Sequence, residues 1–318
     1  MVRRRVTTGG GIASRAASRR SLGSLRTLRV QPRTRARYTA AVDSFFEDLA
    51  QQGIALPRRS ASLDEEVAEH LDRLWLGGIS RSYAGDVISG LQFFVPGLKG
   101  NLRGAWAALS VWQRHEEPER ALPFTDDTAE ALAGTALASG QLRLATCVLL
   151  GQKGLLRPAE FCGLDLGGVV FSRDGLRAVL NLGWTKGGQR KGVREGVTVT
   201  DALLLVLLRL AVEEAKHCGR LLPGGPAEFQ RLFTGLLRRL GLGLIGFTPY
   251  SLRRGGATSI MARCGDVNVL TGIGRWGNVA TARLYVDGAA QQRTEIRFNA
   301  AQLRGIAAAR RQLFVMTA

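Results

Sequence analysis

The chain has 318 residues, 45% of them hydrophobic, and a formal net charge of +18, with a pI near 11.1. That length suggests about two domains, and no run approaches the roughly 18 consecutive apolar residues of a membrane-spanning helix. So basic a balance makes nucleic acid the default partner. The excess is uneven: the first 42 residues hold 11 arginines and no acid, leaving 33 basic against 26 acidic residues in the rest. Arginine outnumbers lysine 39 to 5. A guanidinium grips phosphate through two parallel N–H donors; a GC-rich genome that favours arginine codons is the competing explanation.

Residues 1–30, rich in Arg, Ser and Gly without a hydrophobic segment, are expected to be a disordered basic tail. Such a tail admits a DNA-contacting arm, a nuclear localisation patch or an organellar transit peptide. From Pro32 the pattern turns helical. Over 33–52, Tyr38, Ala41, Val42, Phe45, Phe46 and Leu49 recur at spacings that make one face. A second helix over 62–76 opens on a capping box of Ser62 and Glu65 and ends at Gly77-Gly78. A third begins near Ser80, carries Tyr83, Val87, Ile88, Leu91 and Phe94 on one face, and stops before Pro96. A fourth covers 102–114. These four predict an all-helical DNA-binding domain over 31–115, with a linker containing two prolines over 116–123.

The remainder, 124–318, reads as a second, mostly helical domain with one small antiparallel sheet, so the fold class is mainly α with an α+β second half. Helices are expected at 126–138 and 141–153, and a short one after Arg157-Pro158, since proline suits a first helical turn. Strands are expected at 169–171, 177–182 and 196–199, with Lys186-Gly187-Gly188 in a turn between two of them. Further helices follow at 201–216, 226–240, 253–264, 266–273, 279–287 and 291–312. Cys147, Cys162, Cys218 and Cys264 show no CxxC pairing; each sits among apolar residues and reads as a reduced core thiol.

Four segments concentrate the candidate chemistry: Leu156-Arg157-Pro158-Ala159-Glu160, Trp184-Thr185-Lys186-Gly187-Gly188, Tyr250-Ser251-Leu252-Arg253-Arg254-Gly255-Gly256, and Gly274-Arg275-Trp276 through Tyr285. In this order and spacing, with Tyr285 nine residues after Trp276, they resemble the tyrosine recombinase (phage integrase-like) family. The likeness runs over roughly 32–300 and includes the helical domain, which looks like that family's core-binding domain. The resemblance implies a site-specific enzyme that cleaves and rejoins DNA through a 3′-phosphotyrosine intermediate. It makes Tyr285 the nucleophile, Arg157 and Arg253 a phosphate clamp, and Lys186 the general acid, with Lys191 the competing lysine. Trp276 would offer an indole N–H and an apolar wall.

The chemistry suits these residue types independently of any family. A phenol can attack phosphorus and keep the broken strand covalently bound, so that resealing needs no ATP. Arginines can neutralise charge building on the non-bridging oxygens, and a lysine can protonate the leaving 5′-oxygen. The sequence carries no metal-binding motif and no phosphate-binding loop for ATP, so no cofactor is expected. One departure stands out: Tyr250 occupies the place where the family usually has His, and a phenol with an ordinary pKa near 10 is a poor base at neutral pH. This leaves an alternative, a catalytically impaired, recombinase-derived DNA-binding protein. A relaxing activity of the type IB topoisomerase kind shares the chemistry and is a third reading. The expected partner is double-stranded DNA, and the resemblance implies a homo-tetramer acting on two DNA sites. The expected compartment is the nucleus or a nucleoid, with organellar targeting open through the tail.

Overall fold

Apolar residues spaced three and four apart can bury only one face of a helix, so a chain patterned in this way folds by pressing such faces together. A computed structural model of the protein describes residues 11–117, 120–185, 187–188, 192–216 and 218–317. The chain divides into two compact units, Met1–Glu119 and Arg120–Ala318.

In the first unit α1 spans Ile12–Leu22, within the segment expected to be disordered, and buries none of its side chains. Residues 1–10 lie outside the described set. Helices α2 (Pro32–Gln51), α3 (Ser60–Leu76), α4 (Arg81–Phe94) and α5 (Arg103–His115) follow. They enclose a single core of Val42, Phe45, Val67, Leu71, Val87, Ile88, Leu109 and Trp112, among others. The expected capping box at Ser62 does not form: α3 starts at Ser60 with no side-chain cap. Its first turn does other work, because Asp64 accepts hydrogen bonds from the Gly104 and Ala105 amides at 2.7 and 2.9 Å. A long-range carboxylate therefore caps the start of α5, where free N–H groups and the helix dipole favour negative charge.

The second unit opens with α6 (Asp126–Leu137), α7 (Leu142–Gln152) and α8 (Pro158–Cys162). Strands β1 (Val169–Phe171), β2 (Ala178–Gly183) and β3 (Glu195–Val199) form an antiparallel sheet in the order β1-β2-β3. Its register pairs Val170 with Val179 and Leu180 with Val197, with an irregularity that sets Glu195 opposite Gly183. Helices α9 (Ala202–Glu214), α10 (Gly225–Arg239), α11 (Pro249–Cys264), α12 (Val267–Gly274), α13 (Val279–Arg283), α14 (Gly288–Ile296) and α15 (Ala300–Thr317) complete it. The main core gathers Phe124, Phe161, Phe229, Phe233 and Phe247 with leucines from α7, α9 and α10. A smaller apolar cluster of Leu155, Ala257, Leu270, Trp276 and Ala282 lies under Tyr285.

Three expectations are corrected here. The helix expected over 291–312 is two helices, because Asn299 and Gln302 exchange hydrogen bonds between side chain and backbone at 2.8 and 2.9 Å and start α15 afresh. Helix α11 begins at Pro249 rather than 253, since Thr248 and Ser251 cap its start reciprocally and proline fits its first turn. Of the four cysteines, Cys147 and Cys162 are buried, but Cys218 and Cys264 are exposed. The final helix packs on α6 of its own unit, where a Cβ on Gly134 would lie 2.0 Å from the Ala309 carbonyl oxygen. Among the described residues no helix is long and apolar enough to cross a membrane.

Candidate active site

The site begins where the chain leaves α7. Leu155 is fully buried and takes a left-handed backbone conformation, φ 49°, so its carbonyl serves as an acceptor for side chains rather than for a helix. Two residues later Arg157 precedes Pro158, which fills the first position of α8. Glu160 closes this turn. Its carboxylate accepts from the Arg157 amide at 2.9 Å and from Arg157 Nη1 at 2.6 Å. Burial pushes the Glu160 carboxyl up, but the Arg275 charge and the Arg157 amide outweigh it and hold the pKa below the ordinary glutamate value.

Helix α11 supplies Arg253, the largest fully buried side chain among the described residues. Its Nη1 donates to the Leu155 carbonyl and its Nη2 to the Gly274 carbonyl at 2.6 Å. The guanidinium carbon lies 4.8 Å from the Trp276 ring centre and 5.5 Å from that of Tyr285, within range of a cation–π attraction. Burial, then the neighbouring Arg157 charge, lowers its pKa to about 10, so it stays charged at neutral pH. The helix can lie this deep because Gly255 and Gly256 follow: a Cβ on either would meet the Phe124 or Gln152 carbonyl oxygen at 2.1 or 1.8 Å. Arg254 faces elsewhere, donating to the Ala121 carbonyl and to Asp287, both at 2.7 Å. Tyr250, one turn before Arg253, is half exposed.

The last segment closes the site from the other side. Trp276 is buried, and its ring centre sits 4.8 Å from that of Tyr285 at a 45° tilt. Gly274 is required beneath it, since a Cβ there would fall 1.7 Å from the indole ring. Thr258 of α11 donates to the Tyr285 carbonyl at 3.3 Å and accepts from the Asp287 amide at 3.2 Å, which fixes the backbone on both sides of Val286. Lys186 and Lys191 lie outside the described residues. Beside Lys186 in sequence, Thr185 hydrogen-bonds the buried Glu195 carboxylate and accepts from the Gly188 amide at 3.0 Å.

The structure thus gathers Arg157, Arg253, Trp276 and Tyr285 around one point, with Tyr250 on the same helix as Arg253. It adds a residue the sequence reading passed over: Arg275, whose side chain is 9% exposed and pairs with Glu160 at 2.8 Å. Only its place between Gly274 and Trp276 could have drawn attention to it. Several buried donors here have no hydrogen-bond partner among the described residues: Arg253 Nε, Arg275 Nε and Nη1, and Trp276 Nε1. Buried N–H groups left unpaired cost about 1–3 kcal/mol each, and a cluster of cationic and indole donors suits an oxyanion such as a phosphate. Among the described residues no group of three or more His, Cys, Asp or Glu side chains is placed to hold a metal.

No protein-family model matches the chain, and no curated protein matches it in sequence. Solved structures do. The Tn1549 transposon integrase in complex with circular-intermediate DNA matches with a TM-score of 0.55 at 15% identity, over 89% of this chain and 97% of that one. The XerH site-specific recombinase bound to its difH substrate matches with a TM-score of 0.53 at 12% identity, over 83% and 79%. A lambda integrase tetramer bound to a Holliday junction matches with a TM-score of 0.54 at 15% identity, over 81% and 72%. The chain has an integrase-like fold. At these identities the likeness is one of fold, mainly α with a small three-stranded antiparallel sheet, and all three structures are of tyrosine recombinases.

Proposed function

We propose that this protein is a tyrosine recombinase that cleaves and rejoins double-stranded DNA. The observation that carries the reading is Arg253: a fully buried guanidinium stacked against Trp276 and Tyr285, beside Arg157 and an indole N–H with no hydrogen-bond partner among the described residues. An attacking phenol needs charge neutralised at the phosphate it attacks, and fixed donors in a water-poor site do this without reorganising. Tyr285 Oη would form a bond to phosphorus as the P–O5′ bond breaks. The phenol gives up its proton, and the leaving 5′-oxygen gains one, from Lys186 in this account. The product is a 3′-phosphotyrosine, and reversal by a 5′-hydroxyl reseals the strand. Because arginines neutralise the phosphate, the proposed reaction calls on neither a metal nor ATP. The solved relatives in fold include a tetramer on a Holliday junction, which supports a tetrameric assembly on two DNA sites as part of this proposal.

Tyr250 favours one other reading, a DNA-binding protein that has lost its chemistry. Tyr250 is half exposed where the family resemblance calls for His, and its side chain makes no hydrogen bond among the described residues. Covalent capture separates the two. The protein is incubated with nicked duplexes of random sequence, denatured in detergent, and assayed for DNA-linked protein, with Tyr285→Phe as the control. An adduct lost in that variant supports the enzyme. DNA binding without an adduct, converted to adduct formation by Tyr250→His, supports the impaired form.

A further inference from the structure

Arg275 has a backbone φ of 58°, a conformation that L-residues other than Asn and Asp rarely adopt outside sites of special purpose. A glycine would fit there without strain, yet the position holds the longest of cations. Its guanidinium points inward and reaches two of the elements that carry the site. Nη2 donates to Glu160 at 2.8 Å and lies 3.4 Å from the Leu155 carbonyl. Nη1 lies 3.8 Å from Glu195, the same carboxylate that Thr185 hydrogen-bonds.

These contacts converge on the phosphate clamp. Glu160 is shared, one oxygen taking Arg157 Nη1 and the other taking the Arg157 amide and Arg275. The Leu155 carbonyl is shared too, between Arg253 and Arg275. A buried carboxylate facing Arg157 alone would cancel the charge that Arg157 must present to a phosphate. A second cation on Glu160 leaves Arg157, Glu160 and Arg275 together with one net positive charge, which Glu195 offsets in part from 3.8 Å, and it fixes the acceptors that aim both clamp arginines.

We infer that Arg275 is a positioning residue for the phosphate clamp, acting through Glu160 and the Leu155 carbonyl on Arg157 and Arg253. The inference rests on the strand-cleavage reading above, and the test separates the two. A nicked duplex captured by the unaltered protein from a random-sequence pool is resynthesised in three forms. One has the ordinary scissile phosphate, one a methylphosphonate that removes the charge of a non-bridging oxygen, and one a 5′-bridging phosphorothiolate whose leaving sulfur needs no proton.

Arg275→Gly, chosen because glycine suits the backbone, is expected to slow adduct formation roughly 10- to 100-fold on the ordinary phosphate, as small misplacements of catalytic groups do. Most of that defect should vanish on the methylphosphonate and persist on the phosphorothiolate. Combined with Glu160→Gln, its loss should fall short of the sum of the two separate losses. Should Arg275→Gly fail to fold, Arg275→Lys carries the same comparison, since one ammonium cannot serve Glu160 and the Leu155 carbonyl in the fork geometry of arginine. An unchanged rate, an equal defect on phosphate and methylphosphonate, recovery on the phosphorothiolate alone, or strictly additive losses would each overturn the inference. A pool from which the unaltered protein captures no DNA overturns the strand-cleavage reading and the role of Arg275 with it.

Discussion

The two units use arginine in opposite ways. Among the described residues, no arginine of the first unit is buried; Arg37, paired with Asp86, has a side chain 53% exposed. In the second unit Arg253 and Arg254 are buried, and Arg275 nearly so. An exposed guanidinium in water acts weakly and is screened by salt within about 10 Å, which suits holding a polyanion without choosing one atom on it. A buried guanidinium is costly to desolvate and is kept only with good partners. Arg253 has two carbonyls, Arg254 has a carbonyl and Asp287, and Arg275 has Glu160. Fixed in this way, its charge acts on one place. The contrast teaches that the overall charge of +18 is held in two ways, exposed and screened in the first unit and, at these three arginines, buried and fixed in the second.

The contrast can be broken most forcibly at the cores, since each unit buries its own. Phe45 is fully buried in the first unit, and Phe45→Ala should cost about 3–5 kcal/mol there. Hydrogen exchange on the full chain should then show lost protection within residues 31–115 and retained protection within 124–318. Gly256→Ala does the reverse. Its Cβ would meet a backbone oxygen that cannot swing aside, and overpacking of this kind costs about 1–3 kcal/mol. Protection should fall around α7 and α11 and hold in the first unit. Loss of protection in both units from either variant would mean that they do not fold independently.

Acid should divide the units next. In the first unit burial holds His70 below its ordinary value of 6.5, despite the neighbouring carboxylate of Asp48. In the second, Glu160 is held below its ordinary 4.5. In both cases the unfolded chain takes up a proton that the folded one resists. Each group's contribution is therefore complete above the ordinary value and is lost as pH falls through the folded one. On a pH series of hydrogen exchange, the first unit should start to weaken below about 6.5 and the second below about 4.5. A second unit that weakens first would contradict these assignments. The smallest effect belongs to the exposed pair: Arg37→Ala should change thermal stability by less than about 1 kcal/mol, and a larger loss would show that this arginine is not the loosely held surface charge described.

Much of this was legible in the sequence because it depends on short-range rules. The faces of α2 and α4, the start of α8 at Pro158 and the position of β1 follow from periodicity and from proline. The Leu252-Arg253 pattern already favours Arg253 over Arg254, and the structure gives these neighbours in sequence different partners. Arg275 was not legible, because its partner Glu160 lies 115 residues away and neither residue type announces such a pairing. The break between α14 and α15 was missed because Asn299 and Gln302 read as ordinary helical surface residues until their reciprocal hydrogen bonds are seen.

The central claim, that Tyr285 attacks the DNA, is tested most directly by finding which residue carries the nucleotide after covalent capture. Trypsin separates the two candidate phenols, placing Tyr285 in the peptide of residues 284–293 and Tyr250 in that of residues 240–253. Mass spectrometry of the digested adduct should find a 3′-linked nucleotide on the peptide of residues 284–293 and none on the other. A nucleotide on the Tyr250 peptide, or an adduct that persists in Tyr285→Phe, would contradict the account.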